Sequence, residues 1–415
     1  MEKRTSYWGI PLLPDTGSRT KALDLLRFLA VGLVSLRHAF ACPTTINPWL
    51  HAITKTFVTG GWIGVDLFFV LSGFLISGLL FREYQTYGHI SLKRFFVRRG
   101  LKIYPPFWVF ILFALYVETT HGGSLAFARQ WLPSELLFFQ NYGTTCQWGY
   151  TWSLAVEEHF YLILPLVLVI MVKRTRTTHN PFHWLPQLFG VVAISCLLLR
   201  IYLSVTLPFS FKTHYVPTHL RIDSLLFGVL ISYCYHFFPE RFQAVSRRFH
   251  PFFIPLGVLL MLPAFVVEVN APYMHTFGFT QLYVASGLLL IGLLGRDLKP
   301  TAGINLLAFV GSRSYSIYLW LGPAAWFADE RFNVTANLFN WSAWTINYLG
   351  GAIFMGIAMA ALVEFPILKL RDRLFPSRSK QIHANAGLSD TRIESFRPTD
   401  AAELCAGRNG LGQSI

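Results

Sequence analysis

Charged residues are scarce in this chain: they make up 13% of its 415 residues, whereas 53% are hydrophobic and the mean hydropathy is +0.45. A typical soluble domain carries about 25% charged residues, so the composition argues against an ordinary soluble enzyme. The apolar runs are separated by polar loops and lack the two-residue alternation of a membrane-spanning barrel. The composition therefore predicts an all-α fold, a polytopic bundle of transmembrane helices.

Cysteine is also scarce, and the five cysteines do not have the spacing of a metal site. The histidines are scattered along the chain, so we expect no metal. Cys196 and Cys234 fall within apolar runs and Cys405 lies near the C-terminus, whereas Cys42 and Cys146 are predicted to share the outer face of the membrane. These last two are either a disulfide pair or two unpaired thiols, and the sequence leaves both alternatives open.

About ten apolar segments are long enough to cross a membrane as helices of roughly 20 residues. Their centres lie near Val31, Phe69, Phe110, Leu162, Ile194, Gly228, Leu259, Leu288, Tyr318 and Ala358. Basic residues cluster in 82–102, 173–176, 241–248 and 296–299, and the positive-inside rule places these segments and both termini in the cytoplasm. This pattern explains most of the net charge of +14, so we expect no nucleic-acid partner.

Three segments are predicted along the chain: a cytoplasmic N-terminal segment (1–20), a transmembrane domain (21–370) and a polar tail (371–415). The first segment contains no apolar stretch of the signal-peptide type and is expected to be retained. The tail has no hydrophobic periodicity, so we expect it to be disordered in the cytoplasm.

Ionisable residues lie in the first apolar run, 22–41, although such side chains are costly in hydrocarbon. Arg27 and His38 are eleven residues apart, so a helix places both on one stripe, about 16 Å apart along its axis, and Asp24 joins that stripe. A cation at one end and an imidazole at the other suit an anionic ligand and proton transfer. Alternatively, Arg27 snorkels to one membrane surface and His38 lies at the other.

The second and sixth apolar runs also contain charged residues. Asp66 either orients His38 from the neighbouring span or caps the outer end of its own helix. The glycines around Asp66 and Ser72 are expected to permit the close approach of another helix. In the sixth run, Arg221 and Asp223 either serve the site or simply neutralise each other near a helix end.

The fourth apolar run begins with two adjacent carboxylates. Ser153, Glu157 and Tyr161 recur every four residues and therefore share one helix face, whereas Glu158 and His159 are expected to point elsewhere. Because carboxylates are costly inside a membrane, we expect this face to point towards partners in the bundle interior.

The segment 82–102 has the densest basic cluster, which includes Arg98, Arg99 and Lys102. Such a run is either only a positive-inside signal or a contact with anionic lipid. The functional alternative is that it holds the phosphates of a nucleotide-containing donor.

Taken in order, these segments resemble the acyltransferase 3 superfamily of integral membrane O-acyltransferases, over residues 22–370. The resemblance rests on Arg27 and His38 at the family's spacing and on five further motifs: GVDLFFVLSGF (64–74), RRGLKIYP (98–105), WSLAVEEHFY (152–161), RID (221–223) and SYSIYLW (314–320). Two positions depart from the family pattern. Lys102 stands where an arginine is usual, and Leu321 stands where a histidine is frequent.

The resemblance implies transfer of an acyl group, most simply acetyl, from cytoplasmic acyl-CoA to a hydroxyl of a carbohydrate or lipid-linked glycan at a bacterial inner membrane. It implies that His38 is the general base, with Asp66 and Glu157 beside it, and that CoA is bound by Arg27, Arg98, Arg99 and Lys102. The implied substrate contacts are Ser72, Trp152, Ser153, Tyr161, Arg221, Asp223 and Tyr318. Acyl-CoA is a substrate in this scheme, and no permanently bound cofactor is expected.

A proton-coupled transporter or glycan flippase is the alternative, because intramembrane Arg, His, Asp and Glu residues also serve as relays. The basic segment discriminates between the two, since only a CoA site needs phosphate anchors there. A lipid-linked-sugar glycosyltransferase is disfavoured, because such enzymes usually carry acids in the first outer loop and residues 41–59 contain none.

Overall fold

The computed structural model describes residues 17–120, 125–143, 145–175 and 180–375, and the regular structure in these ranges is entirely helical. Most of the predicted N-terminal segment and tail, including Cys405, lies outside the described residues. The chain forms two compact units, Met1–Ile367 and Leu368–Ile415, and the second is described as far as residue 375. The helical fold class predicted from composition is confirmed.

The α-helices of the described ranges are α1 (Gly17–Arg37), α2 (Pro48–Gly60), α3 (Gly64–Tyr87), α4 (Leu92–Thr120), α5 (Leu125–Leu136), α6 (Trp152–Arg174), α7 (Leu185–Thr206), α8 (Ile222–Phe237), α9 (Pro239–Met261), α10 (Phe279–Leu294), α11 (Ala302–Gly311), α12 (Ser314–Leu319), α13 (Leu321–Asp329), α14 (Leu338–Met359) and α15 (Phe365–Leu374). Short 3₁₀ or π turns connect several of them. Those that matter for the site are Gly149–Thr151, Phe211–Tyr215 and Ala360–Glu364.

Seven helical stretches of the described residues are long and apolar enough to cross a membrane. They are Pro48–Tyr87, Leu92–Thr120, Gly149–Arg174, Leu185–Thr206, Pro239–Phe265, Met274–Leu294 and Leu338–Leu374. All ten predicted span centres lie in helices, but α1, the 16-residue α8 and the 6-residue α12 are outside this set. The number of ten spans and the cytoplasmic placement of the termini therefore stay predictions.

The predicted ninth span, near Tyr318, is not one continuous helix but is divided among α11, α12 and α13. Pro323 contributes to the second break because it has no backbone N–H to donate to the carbonyl of Leu319, one helical turn earlier. The hydroxyl of Tyr150 donates to that carbonyl instead, at 2.8 Å. The break is thus compensated by a side chain from another part of the bundle.

The central helix is α3, which contacts α1, α6, α8 and α10 and is mostly buried. Its closest neighbour is α8, because both helices present a glycine at the contact. A Cβ on Gly73 would overlap the carbonyl oxygen of Leu225, and a Cβ on Gly228 would overlap that of Val70. The prediction that glycines permit close helix approach is confirmed.

We expect Gly228→Ala to lower the melting temperature of the protein in detergent, because the new methyl group must separate α8 from α3. Overpacking of this kind costs about 1–3 kcal/mol. Gly190→Ala on α7 is the control, because a Cβ at that position meets no atom within 4 Å. Equal melting temperatures for the two variants would contradict the close contact.

Candidate active site

A cavity of about 390 Å³ lies between α1, α3, α4, α6 and the segment from Ser312 to Tyr318. Its charged lining residues are Arg27, Arg82, Arg99, Lys102, Glu157, Glu158 and Glu364. Leucines from α1, α3 and α6 form much of the remaining wall. Eight residues predicted from the sequence line it: Arg27, Ser72, Arg99, Lys102, Ser153, Glu157, Tyr161 and Tyr318.

One hydroxyl group holds the carboxylate of Glu157 at the cavity wall. Tyr161 donates a hydrogen bond to Glu157 Oε2 at 2.7 Å, and the Ser72 hydroxyl is hydrogen-bonded to the same tyrosine oxygen. The guanidinium of Arg99 lies over the Tyr161 ring, 3.9 Å from its centroid. The predicted common face of Ser153, Glu157 and Tyr161 is confirmed, because all three line one cavity.

Two hydroxyl groups and the ring of Tyr150 connect the cavity wall to His38. The hydroxyls of Ser153 and Tyr318 lie 2.7 Å apart, and Tyr318 donates to the backbone carbonyl of Tyr150 at 2.6 Å. The ring of Tyr150 meets the His38 imidazole edge-on, with 5.5 Å between centroids. His38 is exposed just past the end of α1 and does not line the cavity itself.

Arg27 is on the same helix as His38 but borders the cavity. Its guanidinium pairs with Asp24 Oδ1 at 2.5 Å, one helical turn earlier, and the pair is only partly buried. The two ends of the predicted stripe therefore have different surroundings. Arg27 lies among the cations of the cavity, and His38 lies at an exposed aromatic edge.

Asp66 does not contact His38, contrary to one sequence expectation. Arg221 donates to Asp66 Oδ1 at 2.8 Å, while Arg200 donates to both carboxylate oxygens of Asp223 at 2.6 Å, and all four side chains are fully buried. Nor do Arg221 and Asp223 neutralise each other. Arg221 lies just before α8 and Asp223 in its first turn, so the two side chains meet different neighbours. The proposed roles of Asp66 and Arg221 at the substrate stay predictions.

Three other sequence predictions fall outside the cavity lining. Trp152 packs against Tyr215, with ring centroids 4.9 Å apart, near the Asp66 and Arg221 pair. Arg98 lies on α4 and lines neither that cavity nor the groove described below. Cys42 is a buried free thiol and Cys146 is an exposed free thiol. Of the two alternatives left open by the sequence, the structure therefore has two unpaired thiols and not a disulfide.

Sequence reasoning missed two acids at the cavity. Glu158 was expected to point elsewhere but lines the cavity, and it accepts a hydrogen bond from Tyr104 at 2.6 Å. Glu364 also lines it and accepts from Ser316 at 2.8 Å. Glu364 is the one acidic residue in 338–367, and this isolation in an apolar run was the signal that could have identified it.

A groove of about 480 Å³ adjoins the cavity between α4 and α6. Arg99, Glu158 and Tyr161 line both spaces, whereas the rest of the groove is mostly aromatic and apolar. These three residues therefore form the wall that separates the cavity from the groove.

A family model described as an acyltransferase domain matches residues 20–363, so the chain belongs to the acyltransferase 3 family. The peptidoglycan O-acetyltransferase OatA of Listeria monocytogenes is 28% identical over 346 residues, which cover 77% of this chain and 50% of the relative. The O-acetyltransferase OatA of Staphylococcus aureus is 27% identical over 325 residues, which cover 72% of this chain and 51% of the relative.

The chain thus spans about half the length of these curated relatives. No solved structure matches it. Together with the seven long apolar helices, the bacterial relatives confirm the prediction of a multi-pass bacterial membrane protein.

We expect Asp66→Ala to destabilise the protein strongly, because it leaves the Arg221 guanidinium buried without its partner. Removing one member of a fully buried pair costs about 3–5 kcal/mol. Asp24→Ala is the matched control, since it removes the partner of the more exposed Arg27 and should cost less than about 1 kcal/mol. Thermal unfolding in detergent measures the stability of both variants. If Asp66→Ala loses no more stability than Asp24→Ala does, the buried ion pair of Asp66 with Arg221 is contradicted.

Proposed function

We propose that this protein is a membrane O-acyltransferase that moves an acyl group, most simply acetyl, from cytoplasmic acyl-CoA to a hydroxyl of a cell-envelope carbohydrate. Family membership and the names of the relatives support this class of reaction. The observation that carries the proposal is the cavity, which brings together Arg27, Arg99 and Lys102 from two separate motifs. The hydroxyls of Ser153 and Tyr318 lie at the same cavity, and Tyr318 is hydrogen-bonded to Tyr150, whose ring contacts His38.

The donor is proposed to bind with its phosphates at the cavity's cations. Arg99 is suited to this role because its guanidinium is stacked on Tyr161, which restricts the fork that contacts phosphate oxygens. Lys102 adds a second positive charge on the next turn of α4. The apolar wall formed by Leu71, Leu75 and Leu79 of α3 suits the uncharged arm that carries the acyl group.

His38 is proposed to act as the general base. Its imidazole takes the proton of the acceptor hydroxyl while the hydroxyl oxygen attacks the thioester carbon. The new C–O bond forms, the C–S bond breaks, and the CoA sulfur leaves and receives the proton. Glu157 and Tyr161, with Ser72 and Ser153, are proposed to orient the acyl group at the cavity wall.

The acceptor is proposed to approach from the outer side, where the positive-inside rule predicts the His38 end of α1 to lie. A carbohydrate fits the name of the Listeria relative, a peptidoglycan O-acetyltransferase. The ion pairs of Asp66 with Arg221 and of Asp223 with Arg200 are proposed to position α3 and α8 for this reaction.

We expect His38→Ala to lower acyl transfer by about 10²-fold to 10⁴-fold, because the general base is removed. Mass spectrometry of envelope carbohydrate from cells that produce each variant measures the product. His89→Ala, at an exposed residue outside the cavity lining, is the control and should transfer normally. Near-normal product from an inserted His38→Ala protein would overturn the role of His38.

The double variant Arg99→Gln with Lys102→Gln should weaken CoA binding by at least about tenfold, since each charged contact contributes roughly 1.5–3 kcal/mol. Adding Arg98→Gln tests the third predicted cation. Lys93→Gln, an exposed residue on the same helix, is the charge-matched control. Calorimetry in detergent should also show that the difference shrinks as salt is added. Unchanged CoA affinity in the double variant would contradict the donor site and favour the transporter alternative.

A further inference from the structure

Glu135, the penultimate residue of α5, is 1% exposed, and no step of the proposed reaction uses it. Its Oε1 accepts a hydrogen bond from the Thr151 hydroxyl at 3.0 Å. Its Oε2 is buried without a hydrogen-bond partner among the residues that the structure describes. A buried carboxyl group with one hydrogen bond is costly to retain, above all when ionised, so its contact with Thr151 calls for an explanation.

Thr151 is held from two directions by the same segment of chain. Glu135 contacts its hydroxyl, and the side-chain amide of Gln140 donates to its backbone carbonyl at 3.0 Å. Thr151 is the last residue of the turn Gly149–Thr151 and directly precedes α6. The end of α5 and the residues after it therefore clamp this turn.

The residue that the turn presents is Tyr150. Its hydroxyl donates to the carbonyl of Leu319 and accepts from the backbone N–H of Gly322 at 3.0 Å. Its carbonyl accepts from Tyr318, and its ring meets His38. A shift of the turn would therefore disturb the connection between the proposed base and the cavity wall.

We propose that Glu135 is a positioning residue: in its protonated form it holds the turn Gly149–Thr151 through Thr151 and keeps Tyr150 between His38 and Tyr318, and its ionisation loosens the turn. The effect on catalysis rests on the proposed function, but the effect on the turn does not. Ionisation loosens the turn because burying a carboxylate without a cation costs free energy, and this cost is removed when the segment opens and water solvates the carboxylate.

The electrostatic surroundings agree with this geometry. Burial raises the pKa of Glu135 to about 7, and the hydrogen bond from Thr151 offsets the increase only in part. Within the described ranges, the charge of Glu135 acts on two titratable groups, Tyr150 and Cys146, and both are neutral at pH 7. Lys212 is a charged neighbour of Cys146. Among the described residues, no cation shifts the pKa of Glu135 itself.

The sign of the pH dependence follows from the raised pKa. The folded protein binds the proton of Glu135 more tightly than the unfolded chain does. The stabilisation that this group gives to the folded state is therefore fully present below its ordinary pKa of 4.5 and is lost as the pH rises through about 7. Loss of His38 protonation acts in the opposite direction, since a general base gains activity as it becomes neutral. A decline of acyl transfer at alkaline pH therefore reflects the ionisation of Glu135 and not the loss of the His38 proton.

The test uses the full-length protein in detergent. Hydrogen exchange of the 137–151 segment, corrected for the intrinsic effect of pH, measures the turn at pH 6 and pH 8, and acyl transfer is measured at the same pH values. Wild-type protein should lose protection and about tenfold in transfer between pH 6 and pH 8, because the protonated fraction of a group with pKa near 7 falls by that factor.

Glu135→Gln keeps an uncharged acceptor for Thr151 and should remove both changes, whereas Glu135→Ala should lack protection at both pH values. Glu268→Gln, an exposed residue with the same change of charge, should behave as wild type. If Glu135→Gln retains the wild-type loss of protection, the positioning role is wrong. If exchange behaves as expected but no variant transfers an acyl group at any pH, the positioning of the turn stands and the proposed function fails.

Discussion

The ion pair between Asp66 and Arg221 fixes the central helix of the bundle. It connects α3 to the start of α8 in the interface where Gly73 and Gly228 bring the two backbones together. The pair need not add net stability, because desolvating two charges cancels much of their attraction. What it provides is a defined register, since a slide of α3 along α8 would separate the charges. Ser72, beside Gly73, is thereby held at the cavity wall.

Each acid of the cavity accepts a hydrogen bond from a hydroxyl group. Glu157 accepts from Tyr161, Glu158 from Tyr104 and Glu364 from Ser316. Arg99 forms no ion pair within the described part of the chain and lies over a tyrosine ring. Its guanidinium edge is consequently available to an anionic ligand, although two carboxylates lie on the same wall.

Sequence periodicity identified the residues of one helix face but not the helix that each face meets. Ser153, Glu157 and Tyr161 were grouped correctly because a four-residue spacing fixes their direction. The partner of Asp66 was not predicted, because Arg221 lies 155 residues away and only the packing of α3 on α8 brings them together. Glu158 was misjudged because the cavity extends around α6, where Tyr104 of α4 meets it. The break before α13 was hidden because its compensation comes from Tyr150.

The separation of Arg27 from His38 defines how far the two substrates must approach each other under the proposed function. Eleven residues of helix span about 16 Å, roughly half the thickness of a bilayer's hydrocarbon core. A donor anchored by its phosphates among the cavity's cations and a hydroxyl acceptor at His38 therefore do not each have to cross the membrane. The cavity wall carries the uncharged hydroxyls of Ser153 and Tyr318, which can direct an acyl group without the cost of further buried charge, and Tyr150 lies between Tyr318 and His38. Under the proposed function, this arrangement suits transfer of an acyl group between two bound substrates.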